Sequence, residues 1–312
     1  MAGISSQRLS RILPVACIIL IVAGVIFAGC TSSGTGSMQK PSWSVDSSGV
    51  LSVTCPQDTV NETVLFTNET YTKSRLVLGT PTGDVVTYLS YPTTPKAVIE
   101  YIPGAGEKIS GHEERMVRYA EAGYVFMFVD TRGRGVETGG PAFNPSADYA
   151  KFKENNQDDW PEYYQTICDI TSLQAILSDR FGVPVYAVGG SNGGRYAAVA
   201  AGIDTNFTGY VGISTADWGL TEAVTSQGGT GEVLQFAESL EPGTYIPAIS
   251  PRTVWMYHNA TDPFIPFAEG KALYAAANEP KNFTEFNGDH GINPDVDSRL
   301  LAQWAQIYGT QT

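Results

Sequence analysis

The feature that most limits how this chain can fold is an alternation, from about residue 60 onward, of short apolar runs with amphipathic stretches of helical period. This alternation predicts an α/β fold with a mostly parallel sheet and helices on both faces. Eight runs are predicted as strands, the first two as an antiparallel pair: residues 75–79, 85–90, 97–102, 124–129, 183–188, 210–213, 253–257 and 282–286. Residues 221–250 are predicted to be a small insertion that can act as a cap.

The composition fits one large domain, or at most two, and argues against nucleic acid as a partner. The 312 residues are 42% hydrophobic and 16% charged, which is enough apolar material for a sizeable core. Nineteen Lys and Arg stand against 32 Asp and Glu, a formal charge of −13. A basic patch able to neutralise several phosphates is hard to build from that stock.

The amino terminus is predicted to be a targeting segment. Residues 1–30 carry two Arg, then an apolar stretch, then Phe-Ala-Gly-Cys ending at Cys30, which resembles the lipobox of prokaryotic lipoproteins. Cys30 is therefore the candidate for lipidation, and an uncleaved anchor helix is the alternative. Residues 31–58 are predicted as a flexible tether and lead-in. Either interpretation places the body, residues 59–312, outside the cytoplasm and anchored to the cell membrane.

Two cysteines remain in the body, Cys55 and Cys168. They can form one disulfide, provided that the segment around Cys55 lies across the helix that carries Cys168; the alternative is a buried thiol at Cys168. No Cys/His spacing typical of a metal site is present, and we expect neither a metal nor another cofactor.

The candidate nucleophile is Ser191, in the sequence Gly-Gly-Ser-Asn-Gly at residues 189–193. A Gly-x-Ser-x-Gly match alone is weak, because Gly and Ser are common here. Its placement makes it stronger, since it follows a predicted buried strand and precedes a helical run, the context of a nucleophile elbow. The alternative is an ordinary Gly-rich turn with an idle Ser.

A Ser hydroxyl needs a base, and the chain has three His. His290 follows the last predicted strand and is free to lean over the sheet edge, so it is the preferred base. His258, at the end of a buried strand, is second. His112 is predicted to be a solvated or capping residue in the first turn of a helix.

The acid that orients the base should follow a different strand. Asp262, just beyond strand 253–257, is the first choice, and Asp217, after the preceding strand, is the alternative. Asp289 adjoins His290 in sequence and is poorly placed to reach that ring. For the tetrahedral oxyanion, the predicted donors are the backbone N–H groups of Asn192 and Ala105, the latter in the Pro-Gly-Ala-Gly loop at residues 103–106.

Ser191, Asp262 and His290, in that order, resemble the α/β-hydrolase superfamily over residues 72–312. The elbow at 189–194 and the Asp-x-Arg-Gly-x-Gly loop at 130–135 are similar to those of prolyl-oligopeptidase-type peptidases and serine aminopeptidases. Those families usually carry His-Gly where this chain has Pro103 and Gly104, a departure that leaves the subfamily open.

The resemblance implies an exported, membrane-tethered serine hydrolase that cleaves a carboxylic ester through an acyl-enzyme. An exopeptidase or amidase is the alternative; a small-molecule or peptide acyl group is the expected substrate in either case. A catalytically inactive binding module on the same fold is a third interpretation. A structural surface-layer lipoprotein is a fourth, against which the lack of sequence repeats argues.

Overall fold

The computed structural model describes residues 40–56 and 59–309. Its strands and helices follow one another along the chain as follows: β1 (Ser42–Val45), β2 (Leu51–Thr54), β3 (Thr59–Thr67), β4 (Tyr71–Thr80), β5 (Gly83–Pro92), β6 (Val98–Ile102), α1 (Glu113–Glu121), β7 (Val125–Asp130), α2 (Pro145–Glu154), α3 (Glu162–Phe181), β8 (Val185–Gly190), α4 (Asn192–Ile203), β9 (Gly209–Ile213), α5 (Leu220–Ser226), α6 (Glu232–Glu238), α7 (Pro242–Tyr245), β10 (Thr253–Asn259), α8 (Phe267–Ala276), β11 (Lys281–Phe286) and α9 (Pro294–Tyr308).

The predicted mostly parallel sheet is confirmed. Nine strands lie in the order β11-β10-β9-β8-β6-β7-β5-β4-β3. The strands from β11 to β7 are parallel, whereas β5, β4 and β3 are joined antiparallel at one end. Because parallel strands all end at the same edge, the loops after β6, β8, β10 and β11 meet there.

The number of strands differs from the prediction of eight. The ninth is β3, an edge strand that pairs with β4 and is exposed along its whole length. Its sequence, Thr-Val-Asn-Glu-Thr-Val-Leu-Phe-Thr, lacks both the apolar run of a buried strand and the strict alternation of a half-buried one. Pairing with β4 therefore determines its conformation.

Two apolar layers cover the sheet. One contains side chains of α3 and α4, such as Ile167, Leu173 and Val199, packed on Val98 and Ala187 of the central strands. The other contains α1 and α9, where Tyr119 and Trp304 pack on the opposite side of the sheet. Helices on both faces are why the central strands are continuously buried, rather than alternating between buried and exposed residues.

The described part of the lead-in contains two strands, β1 and β2. Strands β1 and β2 form an antiparallel pair whose Trp43 and Leu51 are buried in the main core. Cys55, which follows β2, forms a disulfide with Cys168 of α3, with a Cα–Cα distance of 5.5 Å. The segment around Cys55 thus lies across α3, which is the placement that the predicted disulfide between Cys55 and Cys168 required.

Residues 221–250 are mostly helical and contain α6, α7 and most of α5. This insertion packs against α2 and α4. Gly202 of α4 permits the close approach, since a Cβ there would lie 2.5 Å from Cβ of Tyr245.

The targeting segment, Cys30 and the tether up to residue 39 lie outside the described residues. Within the described residues, no helix has the length and apolar character needed to cross a membrane.

Candidate active site

Ser191 occupies a sharp turn between β8 and α4. Its backbone has φ 51° and ψ −121°, a conformation that L-residues rarely adopt. Strain of this kind persists only where the surroundings enforce it, and it is a frequent property of functional residues. The turn places Ser191 at the carboxyl edge of the sheet, at the start of a helix.

Two glycines make the turn possible. A Cβ on Gly189 would lie 2.3 Å from the carbonyl oxygen of Gly193, and a Cβ on Gly193 would lie 2.0 Å from that of Ile102. Both distances are shorter than any real carbon–oxygen contact, so strand and helix approach this closely only with Gly at both positions. The Gly-x-Ser-x-Gly spacing is therefore a steric requirement of this turn.

His290 and Asp262 lie side by side at the same edge. Nδ1 of His290 is 2.9 Å from Oδ1 and 2.7 Å from Oδ2 of Asp262. The Asp262 side chain is fully buried, and that of His290 is 18% exposed. Because a carboxylate only accepts, Nδ1 carries the proton, which leaves Nε2 available to accept one.

The surroundings of Asp262 keep it ionised. Burial acts to raise its pKa, but hydrogen bonds from the backbone N–H of Ile265 and from His290 outweigh that effect, and the pKa lies below its usual value. Asn259 joins the two loops, since its Nδ2 donates to the carbonyl oxygen of Gly288 and its Oδ1 accepts from the N–H of Thr261.

Ser191 and His290 line one open cavity of about 600 Å³. Its walls come from residues 104–107 after β6, from residues 288–290 after β11, and, around the end of β10, from Asn259, Thr261, Pro263 and Phe264. The Asp262 carboxylate lies behind His290 and does not line the cavity. In the described part of the chain the Ser191 hydroxyl is not hydrogen-bonded to His290, a contact that often tightens only when substrate binds. The structure thus gathers the predicted nucleophile, base and acid around one space.

The predicted oxyanion donors are at the same place. Ala105 is exposed and lines the cavity. Asn192 is the first residue of α4, so its N–H is one of those at a helix start that have no partner within the helix. Gly104 precedes Ala105, and a Cβ there would lie 3.1 Å from Cβ of Ser191, which shows how closely this loop approaches the elbow.

The alternative base and acid are engaged elsewhere. His258 is fully buried, and its Nε2 lies 3.0 Å from the carbonyl oxygen of Ile265. Asp217 accepts a hydrogen bond of 2.6 Å from the N–H of Gly243 and so holds the insertion, and burial raises its pKa. Neither side chain contacts the His290–Asp262 pair in the described structure.

The prediction that His112 is a solvated or capping residue is met only by its position, which is the N-cap of α1. His112 is 4% exposed rather than solvated, and it caps no backbone N–H with its side chain. Nη1 of Arg115 lies 2.7 Å from its Nδ1, and its Nε2 lies 3.2 Å from Oε2 of Glu107. Because Arg only donates, Nδ1 accepts, and Nε2–H is directed to Glu107.

Glu107 is a cavity residue that the sequence did not single out. Besides the contact with His112, its Oε2 accepts a hydrogen bond of 2.7 Å from the Tyr101 hydroxyl. The network continues from His112 to Arg115, whose Nε lies 2.9 Å from Oδ1 of the buried Asp297 in α9. In the sequence, the one signal that could have pointed to Glu107 was its position directly after the Gly-Ala-Gly loop at residues 104–106.

The Asp-x-Arg-Gly-x-Gly loop at residues 130–135 does not line the cavity. The Asp130 carboxylate accepts from the N–H groups of Val136, Glu137 and Thr138. Arg132 forms a buried, two-pronged ion pair with Asp169 of α3. The loop therefore fastens the end of β7 to α3.

Within the described residues, no group of three or more His, Cys, Asp or Glu side chains is arranged to hold a metal ion.

Comparison with known proteins gives similarity at the level of structure. The chain matches no protein-family model and no curated protein sequence. Acetyl xylan esterase 1 from Thermoanaerobacterium sp. JW/SL YS485 superposes with a TM-score of 0.65 at 14% identity, over 81% of this chain and 89% of that one. The glucuronoyl esterase from Solibacter usitatus gives 0.55 at 12% identity, over 84% and 88%. The chain has the α/β-hydrolase fold.

A third neighbour, the acetyl xylan esterase from Paenibacillus sp. R4, gives a TM-score of 0.62 at 14% identity, over 80% of this chain and 88% of that one. The α/β-hydrolase fold that the sequence predicted is thus confirmed by sheet order and by structural similarity. At these identities the similarity establishes the fold, and activity must be argued from the site.

Proposed function

We propose that this α/β-hydrolase-fold chain is a serine hydrolase that cleaves a carboxylic ester through an acyl-enzyme. The observation that carries the proposal is the joint placement of Ser191, on its strained turn, and the Asp262–His290 pair around one cavity. No step of the proposed chemistry needs a cofactor.

In the proposed reaction, Nε2 of His290 takes the Ser191 proton while Oγ attacks the ester carbonyl carbon. The N–H groups of Ala105 and Asn192 stabilise the oxyanion. The tetrahedral intermediate collapses as His290 returns the proton to the departing alcohol. Water then attacks the acyl-enzyme with His290 again as base, which releases the acid and restores Ser191.

Ester cleavage is favoured over amide cleavage by the neighbours, which are named as acetyl xylan and glucuronoyl esterases. The exopeptidase or amidase alternative uses the same three residues, so it is separated by substrate. Turnover of short-chain acyl esters and of aminoacyl amides, measured side by side, distinguishes the two.

We also propose that the enzyme works outside the cytoplasm, tethered to the membrane through Cys30 or through an uncleaved anchor helix. Support comes from residues 1–30 and their lipobox-like end. The disulfide between Cys55 and Cys168 agrees with an oxidising compartment.

A fluorophosphonate probe tests the mechanism. We expect it to label the native chain and not Ser191→Ala, and ester turnover to fall about 10³-fold or more in that variant. Ser110→Ala, at an exposed serine outside the cavity, is the control and should behave as the native chain. Retention of a tenth of the turnover by Ser191→Ala would remove the assignment.

A further inference from the structure

The Glu107 carboxylate lies where three loops of the candidate site converge. A Cβ built on Gly104, Gly190 or Gly291 would lie 3.2, 3.4 or 3.3 Å, respectively, from its Oε1. Each glycine adjoins a residue of the proposed machinery: Ala105, Ser191 and His290. Oε1 therefore lies beside the backbone that carries these three residues, and Glu107 is part of the cavity wall.

The carboxylate is held in place from behind. Its Oε2 takes the hydrogen bonds from Tyr101 and His112, whereas Oε1 has no hydrogen-bond partner within the described residues. Arg115 fixes the His112 ring and also donates to the carbonyl oxygen of Ile292, two residues beyond His290. Oε1 is therefore left as a fixed acceptor on a side chain that lines the cavity.

Glu107 is ionised at neutral pH. Burial acts to raise its pKa, but the hydrogen bonds from His112 and Tyr101 and the charge of Arg115 outweigh it, so the pKa lies below its usual value. A fixed charged acceptor binds an O–H or N–H donor more strongly than a neutral one does.

An exposed aromatic ring also lines the cavity, beside His290. Phe264 is 74% exposed, and its ring centroid lies 5.0 Å from that of His290 in an edge arrangement. Because His290 returns its proton to the departing alcohol, Phe264 is beside the leaving group. An exposed aromatic face of this kind can cover the C–H face of a ring that carries hydroxyl groups on its edge.

We propose that Glu107 determines specificity by accepting a hydrogen bond from a hydroxyl group of the alcohol that is released, so that the site favours esters of polyhydroxylated rings. This inference rests on the proposed ester hydrolysis. A compact ammonium group would also satisfy Oε1, but it would leave the Phe264 face uncovered.

The test compares two acetate esters: an O-acetylated monosaccharide and its analogue without the hydroxyl next to the acetate. In the native chain, we expect kcat/KM to be about tenfold or more higher for the hydroxylated ester, the effect of one hydrogen bond to a charged acceptor. In Glu107→Gln the ratio of the two kcat/KM values should fall several-fold, because a hydrogen bond between the hydroxyl and a neutral amide is weaker than one to a carboxylate. Gln keeps an acceptor for Tyr101 and His112 but turns its NH₂ group toward the cavity.

Glu114→Gln, at an exposed position on neighbouring α1, is the matched control and should keep the native ratio. Fluorophosphonate labelling of Glu107→Gln checks that its site is intact. Should the variant fail to fold, the native ratio still decides, since a ratio near 1 overturns the proposal. An unchanged ratio in a labelled Glu107→Gln also overturns it. Alanine esters, which carry an ammonium group, are measured in parallel. A loss of turnover in Glu107→Gln that is confined to them would identify an ammonium ligand and would likewise overturn the proposal. A native chain that turns over no ester refutes the proposed function instead.

Discussion

Nδ1 of His290 lies 2.7 Å from Oδ2 of Asp262, across 28 residues of sequence and between loops that follow two adjacent parallel strands, β10 and β11. Parallel pairing brings the two loops together, and Asn259 bridges them through its amide. The imidazole is thus oriented by a buried carboxylate that the local backbone keeps ionised.

This relationship predicts how two acidic residues rank. Asp262→Asn should lower ester turnover on the order of 10⁴-fold, because an amide no longer fixes the tautomer of His290 that accepts the Ser191 proton. Asp217→Asn is the matched control and should stay close to the native rate, since an amide oxygen still accepts from the N–H of Gly243. Steady-state kcat/KM of the two variants gives the ranking, and the reverse order would assign the acid to Asp217.

The sequence predicted the parts of the site that depend on local pattern and chain order. Ser191 was singled out because two glycines and a strand-to-helix context are visible in five residues, and Asp262 and His290 because each follows a predicted strand. Glu107 was not singled out because its place beside Gly190 and Gly291 brings together residues that are near it only in the folded chain.

In the fold, too, the elements with a local sequence pattern could be predicted, whereas those that depend on distant contacts could not. Buried central strands such as β7 and β8 are visible as apolar runs, and their pairing follows from the α/β pattern. The exposed edge strand β3 has no such signal. The pair β1 and β2 is held by Trp43, Leu51 and the disulfide to α3, which are contacts across more than 100 residues.

Anchoring gives a prediction for Cys30. If residues 27–30 are processed as a lipobox, Cys30→Ser abolishes lipid attachment, because the thiol that carries the lipid is lost. Radiolabelled fatty acid incorporation and the mass of the mature amino terminus measure this, with Cys17→Ser as the control that should keep its label. Unchanged labelling of Cys30→Ser would refute the lipobox and leave the uncleaved anchor.

The disulfide predicts a loss of stability without a loss of mechanism. It closes a loop of 113 residues, so replacing Cys55 and Cys168 together by Ala should lower the free energy of unfolding by about 2 to 5 kcal/mol. Urea unfolding of the native chain and the double variant measures the difference. Ser191 should still react with the fluorophosphonate probe in the folded variant, because neither cysteine lines the cavity. Equal unfolding free energies would show that β1 and β2 are held by packing alone.

Glu100 predicts a pH-dependent effect on stability. It lies in the central strand β6, fully buried, and neither carboxyl oxygen has a hydrogen-bond partner within the described residues. Burial, together with the charge of Asp204, raises its pKa well above the usual value, so the folded chain keeps the proton while the unfolded chain loses it above about pH 4.5.

The sign follows from this difference. Stability is full below the unfolded pKa and falls as pH rises toward the folded pKa, by about 1.4 kcal/mol per pH unit. Glu100→Gln, which mimics the protonated acid and does not titrate, should match the native chain near pH 4 and be more stable at pH 8. Asp148, whose pKa burial raises to about 6, changes stability in the same direction in both proteins and cancels from the comparison.

Urea unfolding at the two pH values measures the difference, with Glu222→Gln on exposed α5 as the control. A difference between Glu100→Gln and the native chain that stays constant with pH would mean that Glu100 is ionised in the folded state, despite its burial between Met127 and Ala187.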